Sequence, residues 1–160
     1  MGRIRLHASP APDVWHANTS TEYIAGPRAS VSVSLRAAGL KPGDVAGLAL
    51  SRDLHAWLAL ERSRDGFALA QFDEQSGEAK RIPLRQPRVW LRAECDLVDS
   101  AVRFSYSTDG TRFSGVGERC SMGDGRVAFQ GLRCSLFSYR ARPEDEGGHA
   151  DFDAFVVTWP

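Results

Sequence analysis

Val89-Trp90-Leu91-Arg92-Ala93-Glu94-Cys95-Asp96-Leu97 decides the fold class. Odd positions in this run are apolar, and the even ones after Trp90 are charged. An extended chain turns successive side chains to opposite faces, so this stretch has one face for a core and one for water. The same period of two continues on either side. Val31, Val33 and Leu35 alternate with Ser30, Ser32, Ser34 and Arg36, and Val102, Phe104 and Tyr106 alternate with Arg103, Ser105 and Ser107. No stretch shows a convincing long helical period. Turn signals separate the runs: Asp65-Gly66, Asp109-Gly110 and Asp124-Gly125 as hairpin dipeptides, whose residues tolerate positive φ, and Lys41-Pro42-Gly43-Asp44 as a tight turn.

These patterns predict strands near residues 3–7, 29–36, 45–51, 54–62, 66–72, 78–84, 88–96, 101–107, 133–139 and 150–157. Residues 54–62 also suit a short helix, through Leu54, Trp57, Leu58 and Glu61. Pro83 and Pro87 mark a link or an edge strand. Many short strands at even spacing indicate an all-β fold, an antiparallel β-sandwich of the jelly-roll type. No internal repeat or linker divides residues 1–160, which read as one domain. Arg142 to His149 form the most polar stretch, expected to be an exposed loop.

With 20 basic and 20 acidic side chains the formal net charge is zero, which removes the driving force toward nucleic acid or anionic lipid. No apolar run is long enough to cross a bilayer as a helix. The N-terminal residues show no leader sequence, so the expected compartment defaults to the cytoplasm. Cys95, Cys120 and Cys134 are odd in number and widely spaced, which fits buried free thiols better than disulfides or a zinc site.

Residues with chemical potential are few. No nucleophile elbow or phosphate-binding loop is present, and Gly115-Val116-Gly117 and Gly123-Asp124-Gly125 read as turns. His7, His16, His55 and His149 lack the spacing of metal ligands. Asn18-Thr19-Ser20 matches a glycosylation acceptor but reads as a turn or strand-end feature. Asp151 and Asp153 share one strand face and could help hold a calcium ion, or be ordinary strand carboxylates. Trp15, Trp57, Trp90, Tyr106, Tyr139 and Trp159 could each offer a flat face to a sugar ring or pack in the core. Trp90 lies on the polar face of its run, which makes it the aromatic expected to meet a ligand or a loop.

Several segments together resemble the C-terminal, concanavalin A-like β-sandwich of glycoside hydrolase family 43 β-xylosidases. Gly2-Arg3-Ile4-Arg5-Leu6 is similar to that domain's Gly-x-Leu-Arg-Leu strand, and Ala17-Asn18-Thr19-Ser20-Thr21 to its Asn-Thr segment. Gly26-Pro27, Gly39-Leu40-Lys41-Pro42-Gly43-Asp44-Val45-Ala46-Gly47-Leu48 and Phe104-Ser105-Tyr106-Ser107-Thr108-Asp109-Gly110 follow in order. Gly131-Leu132-Arg133-Cys134-Ser135-Leu136-Phe137-Ser138-Tyr139, then Gly147-Gly148 and Asp151-Phe152-Asp153-Ala154-Phe155, complete the likeness. Glu22-Tyr23 departs from the family's Gln-Arg at that place.

The family's sandwich begins upstream of its Gly-x-Leu-Arg-Leu strand, so a first strand and its Trp-containing segment are expected to be missing. The five-bladed propeller that holds the family's two catalytic Asp and one Glu is not in this chain, so no catalytic residue carries over. The resemblance implies an ancillary domain that supports a glycoside hydrolase or binds carbohydrate. Its alternatives are a subunit or remnant of a β-xylosidase or arabinofuranosidase with its propeller on another chain, and a structural sandwich without ligand. It further implies that Arg133, after a Gly near the start of a late strand, reaches toward the sugar site. A guanidinium suits that place because its fixed donors can fork onto sugar hydroxyls or a carboxylate. A sandwich face meant for a propeller, left uncovered, would favour homo-oligomers.

Overall fold

The computed structural model describes residues 3–10, 18–123, 132–140 and 147–159, with only the backbone of residues 18 and 19. Trp15, His16, the Asp124-Gly125 turn, Gly131 and most of the polar stretch after Arg140 lie outside the described residues.

Thirteen strands and no helix make up the described elements. They are β1 (Ile4–His7), β2 (Ser9–Pro10), β3 (Asn18–Ile24), β4 (Arg28–Arg36), β5 (Asp44–Ser51), β6 (His55–Ser63), β7 (Gly66–Asp73), β8 (Glu78–Leu84), β9 (Arg88–Asp96), β10 (Ala101–Ser107), β11 (Ser114–Ser121), β12 (Leu132–Arg140) and β13 (His149–Thr158). One sheet runs β1-β13-β4-β9-β10-β11, and the other runs β2-β12-β5-β6-β7-β8, with β3 also paired to β12. Among the described residues only the short β2–β12 pairing is parallel. The expected sandwich is the observed one.

The two sheets close on one core. Val31, Val33, Leu35, Leu91, Phe104 and Phe152 from the six-stranded sheet face Leu48, Leu50, Leu58, Leu60, Leu69 and Leu136 from the other, all buried. Each such side chain contributes about 1.5–3 kcal/mol by leaving water. The alternation in the sequence therefore translates directly into layers. Cys95, Cys120 and Cys134 belong to the same core as free thiols.

Residues 54–62 resolve as strand β6 rather than helix. Leu58 and Leu60 face the main core, while Trp57 and Ala59 join a second apolar cluster on the outer side of the sheet. A strand buried on both faces shows no alternation, which is why its period was ambiguous.

Three strands lie where no strand was expected. Asn18 to Ser20 open β3, whose run Asn-Thr-Ser-Thr-Glu-Tyr carries no apolar run; among its described side chains Ile24 alone is deeply buried. β2 is two residues long. Gly115-Val116-Gly117 is part of β11, not a turn. Val102 pairs with Cys120 and Phe104 with Val116, so Gly117, Glu118 and Arg119 together stand opposite Arg103. Gly117 at φ 69° makes this bulge possible, and the irregular spacing hides the period of two.

Neither described Asp-Gly dipeptide uses a positive-φ aspartate. Arg64 and Asp65 form the loop between paired Ser63 and Gly66, and only the glycine has positive φ. Asp109 works through its side chain: Oδ1 accepts from the Thr111 and Arg112 amides at 2.8 and 2.9 Å and from the Ser107 hydroxyl at 2.9 Å. Those donors, the Arg112 amide first, hold its carboxyl below the usual carboxylate range.

Lys41-Pro42-Gly43-Asp44 forms the expected tight turn, with the Asp44 amide donating to the Lys41 carbonyl at 2.9 Å and Gly43 at φ 96°. The buried Asp44 carboxylate then ties two segments together. Its Oδ2 accepts from the Lys41 amide at 2.8 Å and the Gly148 amide at 2.7 Å. The His149 amide donates to the Gly39 carbonyl at 3.0 Å across the same junction. The Gly39–Asp44 and Gly147-Gly148 segments are thus one clasp in space.

Candidate functional site

Register places Arg133 in a row that crosses the outer face of the seven-stranded sheet. Tyr23 of β3 pairs with Arg133 of β12, Arg133 with Ser51 of β5, and Ser51 with His55 of β6. His55 in turn meets Glu74, which also accepts the His55 amide at 3.0 Å. These five polar residues come from five chain segments.

Arg133 is held in place. Its Nε donates to the Ser51 hydroxyl at 3.4 Å, and its side chain is half-buried on the face opposite Leu132 and Cys134. Tyr23 beside it is 69% exposed, so a flat ring and a guanidinium stand next to each other at this end of the sheet. In the adjacent row the Thr21 and Ser135 hydroxyls lie 3.0 Å apart. Beyond them runs an aromatic ladder: His55–Phe72, Phe72–Trp57, Trp57–Phe137 and Phe137–Tyr139 have ring centroids 5.5, 5.6, 6.1 and 6.0 Å apart. Of the aromatics considered for sugar contact, Trp57 and Tyr139 belong to this ladder, which packs on the same outer face beside the polar row.

Trp90 lies on the other sheet. The Arg88 guanidinium stacks 4.4 Å from its ring, and a side chain at Gly110 would come within 2.9 Å of it. It packs against the Asp109-Gly110 loop and shares no site with Arg133. Tyr106 packs against the main core. Trp159 is different: its indole is 55% exposed and is anchored through Nε1 to the Ala25 carbonyl at 2.7 Å.

Asp151 and Asp153 do share the outer face of β13, but each is engaged by an arginine. Arg5 binds Asp151 through Nε and Nη2 at 2.7 and 3.1 Å, and Arg36 lies 3.9 Å from Asp153. The Arg5 hydrogen bond holds the Asp151 carboxyl below its ordinary range. Among the described residues, no three His, Cys, Asp or Glu side chains gather as a metal site.

Sequence reading singled out Arg133 but did not bring Tyr23, Ser51, His55 and Glu74 together with it. The one local hint was Glu22-Tyr23, where the resembling family has Gln-Arg.

Comparison with known proteins agrees with this architecture. The family described as the β-xylosidase C-terminal concanavalin A-like domain matches residues 1–158. A bifunctional GH43-CE protein of Bacteroides eggerthii superposes with TM-score 0.85 and 28% identity over 98% of this chain and 22% of its own. A family 43 glycoside hydrolase engineered to display both endo-xylanase and exo-arabinofuranosidase activity superposes with TM-score 0.83 and 26% identity, over 97% of this chain and 33% of its own. This chain therefore spans between about a fifth and a third of those proteins. A functionally unknown protein of Saccharomyces cerevisiae shares the fold at 14% identity and TM-score 0.73, covering 99% of this chain and 89% of its own. No curated protein matches. With its two-sheet sandwich and a family match along nearly its whole length, the chain belongs to the concanavalin A-like C-terminal domains of family 43 β-xylosidases.

Proposed function

We propose that this chain is the non-catalytic sandwich of a β-xylosidase-type glycoside hydrolase, and that it presents Arg133 to the sugar site of a catalytic propeller. The observation that carries this reading is the setting of Arg133 between the exposed Tyr23 ring and the buried Ser51 hydroxyl. A guanidinium already anchored through Nε loses less freedom on meeting a ligand than a solvated one. Its remaining donors can fork onto vicinal hydroxyls. The family's acids lie on the propeller, so the sandwich alone is expected to leave aryl xylosides and arabinosides intact.

The test is to pair the chain with a family 43 propeller and compare wild type with Arg133→Ala. One charge-assisted hydrogen bond of about 1.5–3 kcal/mol predicts a loss of roughly tenfold to a hundredfold in kcat/KM. The sandwich's melting temperature should hardly move. Equal kinetics would remove the proposed role. A large fall in melting temperature with unchanged chemistry would make Arg133 a structural strand residue.

A further inference from the structure

Four large apolar side chains are exposed among the described residues: Tyr23, Val98, Val156 and Trp159. Three of them meet at one end of the sandwich, around the connection that carries the chain from β3 in one sheet to β4 in the other. Tyr23 is next to last in β3 and stands opposite Arg133 of β12. Ala25, Gly26 and Pro27 follow, all exposed. Trp159 lies on this connection, with Nε1 donating to the Ala25 carbonyl at 2.7 Å and its ring against Gly26. Val98, 77% exposed, is in the β9–β10 turn, which is held to the same connection by the Leu97 amide donating to the Pro27 carbonyl at 2.9 Å. Val156 stands apart, on the outer face of β13 opposite Ser32.

The patch is fixed from beneath. Arg52, in the β5–β6 turn, donates through Nη1 to the Leu97 carbonyl at 3.3 Å and the Ser100 hydroxyl at 3.2 Å. The Asp53 and Leu54 amides of that turn donate to the Met122 carbonyl at 3.0 and 3.1 Å. Turns from both sheets are thereby tied together, and little freedom is left to lose when a partner arrives. The neighbouring charges are already paired: Arg28 lies 3.8 Å from Asp96, and Arg119 lies 2.9 Å from Asp99. An apolar, aromatic centre with a charged rim is the anatomy of a protein interface. Contiguous apolar surface of this kind is uncommon on a domain that meets nothing.

Size and the position of Arg133 together select the occupant. An aromatic side chain carries about 150–250 Å², so two rings more than half exposed, with Val98, leave on the order of 300 Å² of apolar surface in water. A second copy docked twofold on this patch would bury about 600 Å² in total, below the roughly 1,000 Å² of a stable interface. A larger partner is needed, one that also reaches over Arg133. Tyr23 and Arg133 are neighbours on one face, so a domain whose sugar site receives the Arg133 guanidinium must lie over this end of the sandwich.

We propose that the catalytic propeller docks on this end of the sandwich, with Tyr23, Trp159 and Val98 as its apolar anchors and Arg133 at the inner margin of the contact. The proposal rests on the reading of this chain as a propeller's sandwich, and adds the surface that holds the two together. Val98 and Trp159 take no part in the sugar chemistry, so they set affinity and not turnover.

The experiment titrates the full chain into the family 43 propeller of the Arg133 test by calorimetry, and measures turnover at saturating sandwich. Val98→Asp and Trp159→Ala should each raise the Kd at least tenfold and leave kcat at saturation unchanged. Val156→Asp, the control on the outer face, should bind as wild type. Val98 is an exposed turn residue, so Val98→Asp keeps the fold even if Trp159→Ala loosens the Ala25 connection, and a melting curve for each variant checks this. Unchanged affinity in Val98→Asp overturns the proposal, as does equal weakening by Val156→Asp or the absence of wild-type binding. A dimer of the isolated chain that Val98→Asp dissolves would make a second copy the occupant and overturn it too. Slower turnover in Arg133→Ala with an affinity blind to Val98 sinks this surface alone. A Val98-dependent complex whose turnover ignores Arg133→Ala sinks the role given to Arg133 and leaves the surface standing.

Discussion

Replacing Asp44 with alanine should cost more stability than any surface change in this chain, because it opens a clasp built on a buried carboxylate. Asp44 is 1% exposed, and its Oδ2 accepts the Lys41 and Gly148 amides at 2.8 and 2.7 Å. Alanine removes both bonds and leaves the buried Gly148 N–H and the part-buried Lys41 N–H without that acceptor. Hydrogen bonds to a carboxylate are worth about 1.5–3 kcal/mol each, and a stranded donor carries its desolvation penalty, so the loss should be about 3–5 kcal/mol. The unfolding entropy of a 160-residue chain makes 1 kcal/mol worth about 3 °C, so the melting temperature should fall by about 9–15 °C. Asp44→Asn, which keeps one acceptor oxygen, should lose markedly less. Urea unfolding followed by tryptophan fluorescence, with calorimetric melting, measures both variants. Gly148→Ala provides an independent check, since its Cβ would lie 2.0 Å from the Gly39 carbonyl oxygen. If Asp44→Ala unfolds within about 1 kcal/mol of wild type, the clasp is not what joins these segments. The likeness of Gly39–Asp44 and Gly147-Gly148 to the family would then need another cause.

Three further outcomes are expected. Ala154 sits at φ 53° in the β13 bulge, where an L side chain costs about 1–2 kcal/mol and glycine's extra entropy about 0.5–1, so Ala154→Gly should stabilise the chain by about 0.5 kcal/mol; unfolding curves no better than wild type would count against strain there. Arg5 lowers the pKa of Asp151, so the pair contributes stability above the unfolded carboxylate value near about 3.9 and loses it as pH falls through the folded value. The small melting-temperature gap between wild type and Arg5→Ala should therefore close in acid, and a gap that persists at about pH 2 would refute the assignment. Burial pushes the Cys95 and Cys120 thiols up to about 12, and Cys134 rises for the same reason, so a disulfide reagent at neutral pH should label none of the three until denaturant is added; fast labelling of the native chain would show an open core.

Much of the sandwich was legible residue by residue. β4, β9 and β10 advertise themselves because each has one dry and one wet face, and a period of two is encoded within a single strand. The Lys41–Asp44 turn is equally local, since Pro42 and Gly43 carry its dihedral preferences. β3 and β11 were not legible. The first is an edge strand with little apolar surface to bury, and the second breaks its own alternation at the Gly117 bulge. β6 was ambiguous because its outer face is as apolar as its inner one.

The candidate site belongs to the part that only tertiary structure decides. Tyr23, Arg133, Ser51, His55 and Glu74 come from five segments. Nothing within any one segment names its neighbour in the row. Register between strands is set by nonlocal packing and by bulges, and a slip of one residue would turn every outward side chain inward. Composition and periodicity therefore determined that Arg133 and Arg103 point out of the core, while the pairing of strands across the two sheets decided what stands beside them.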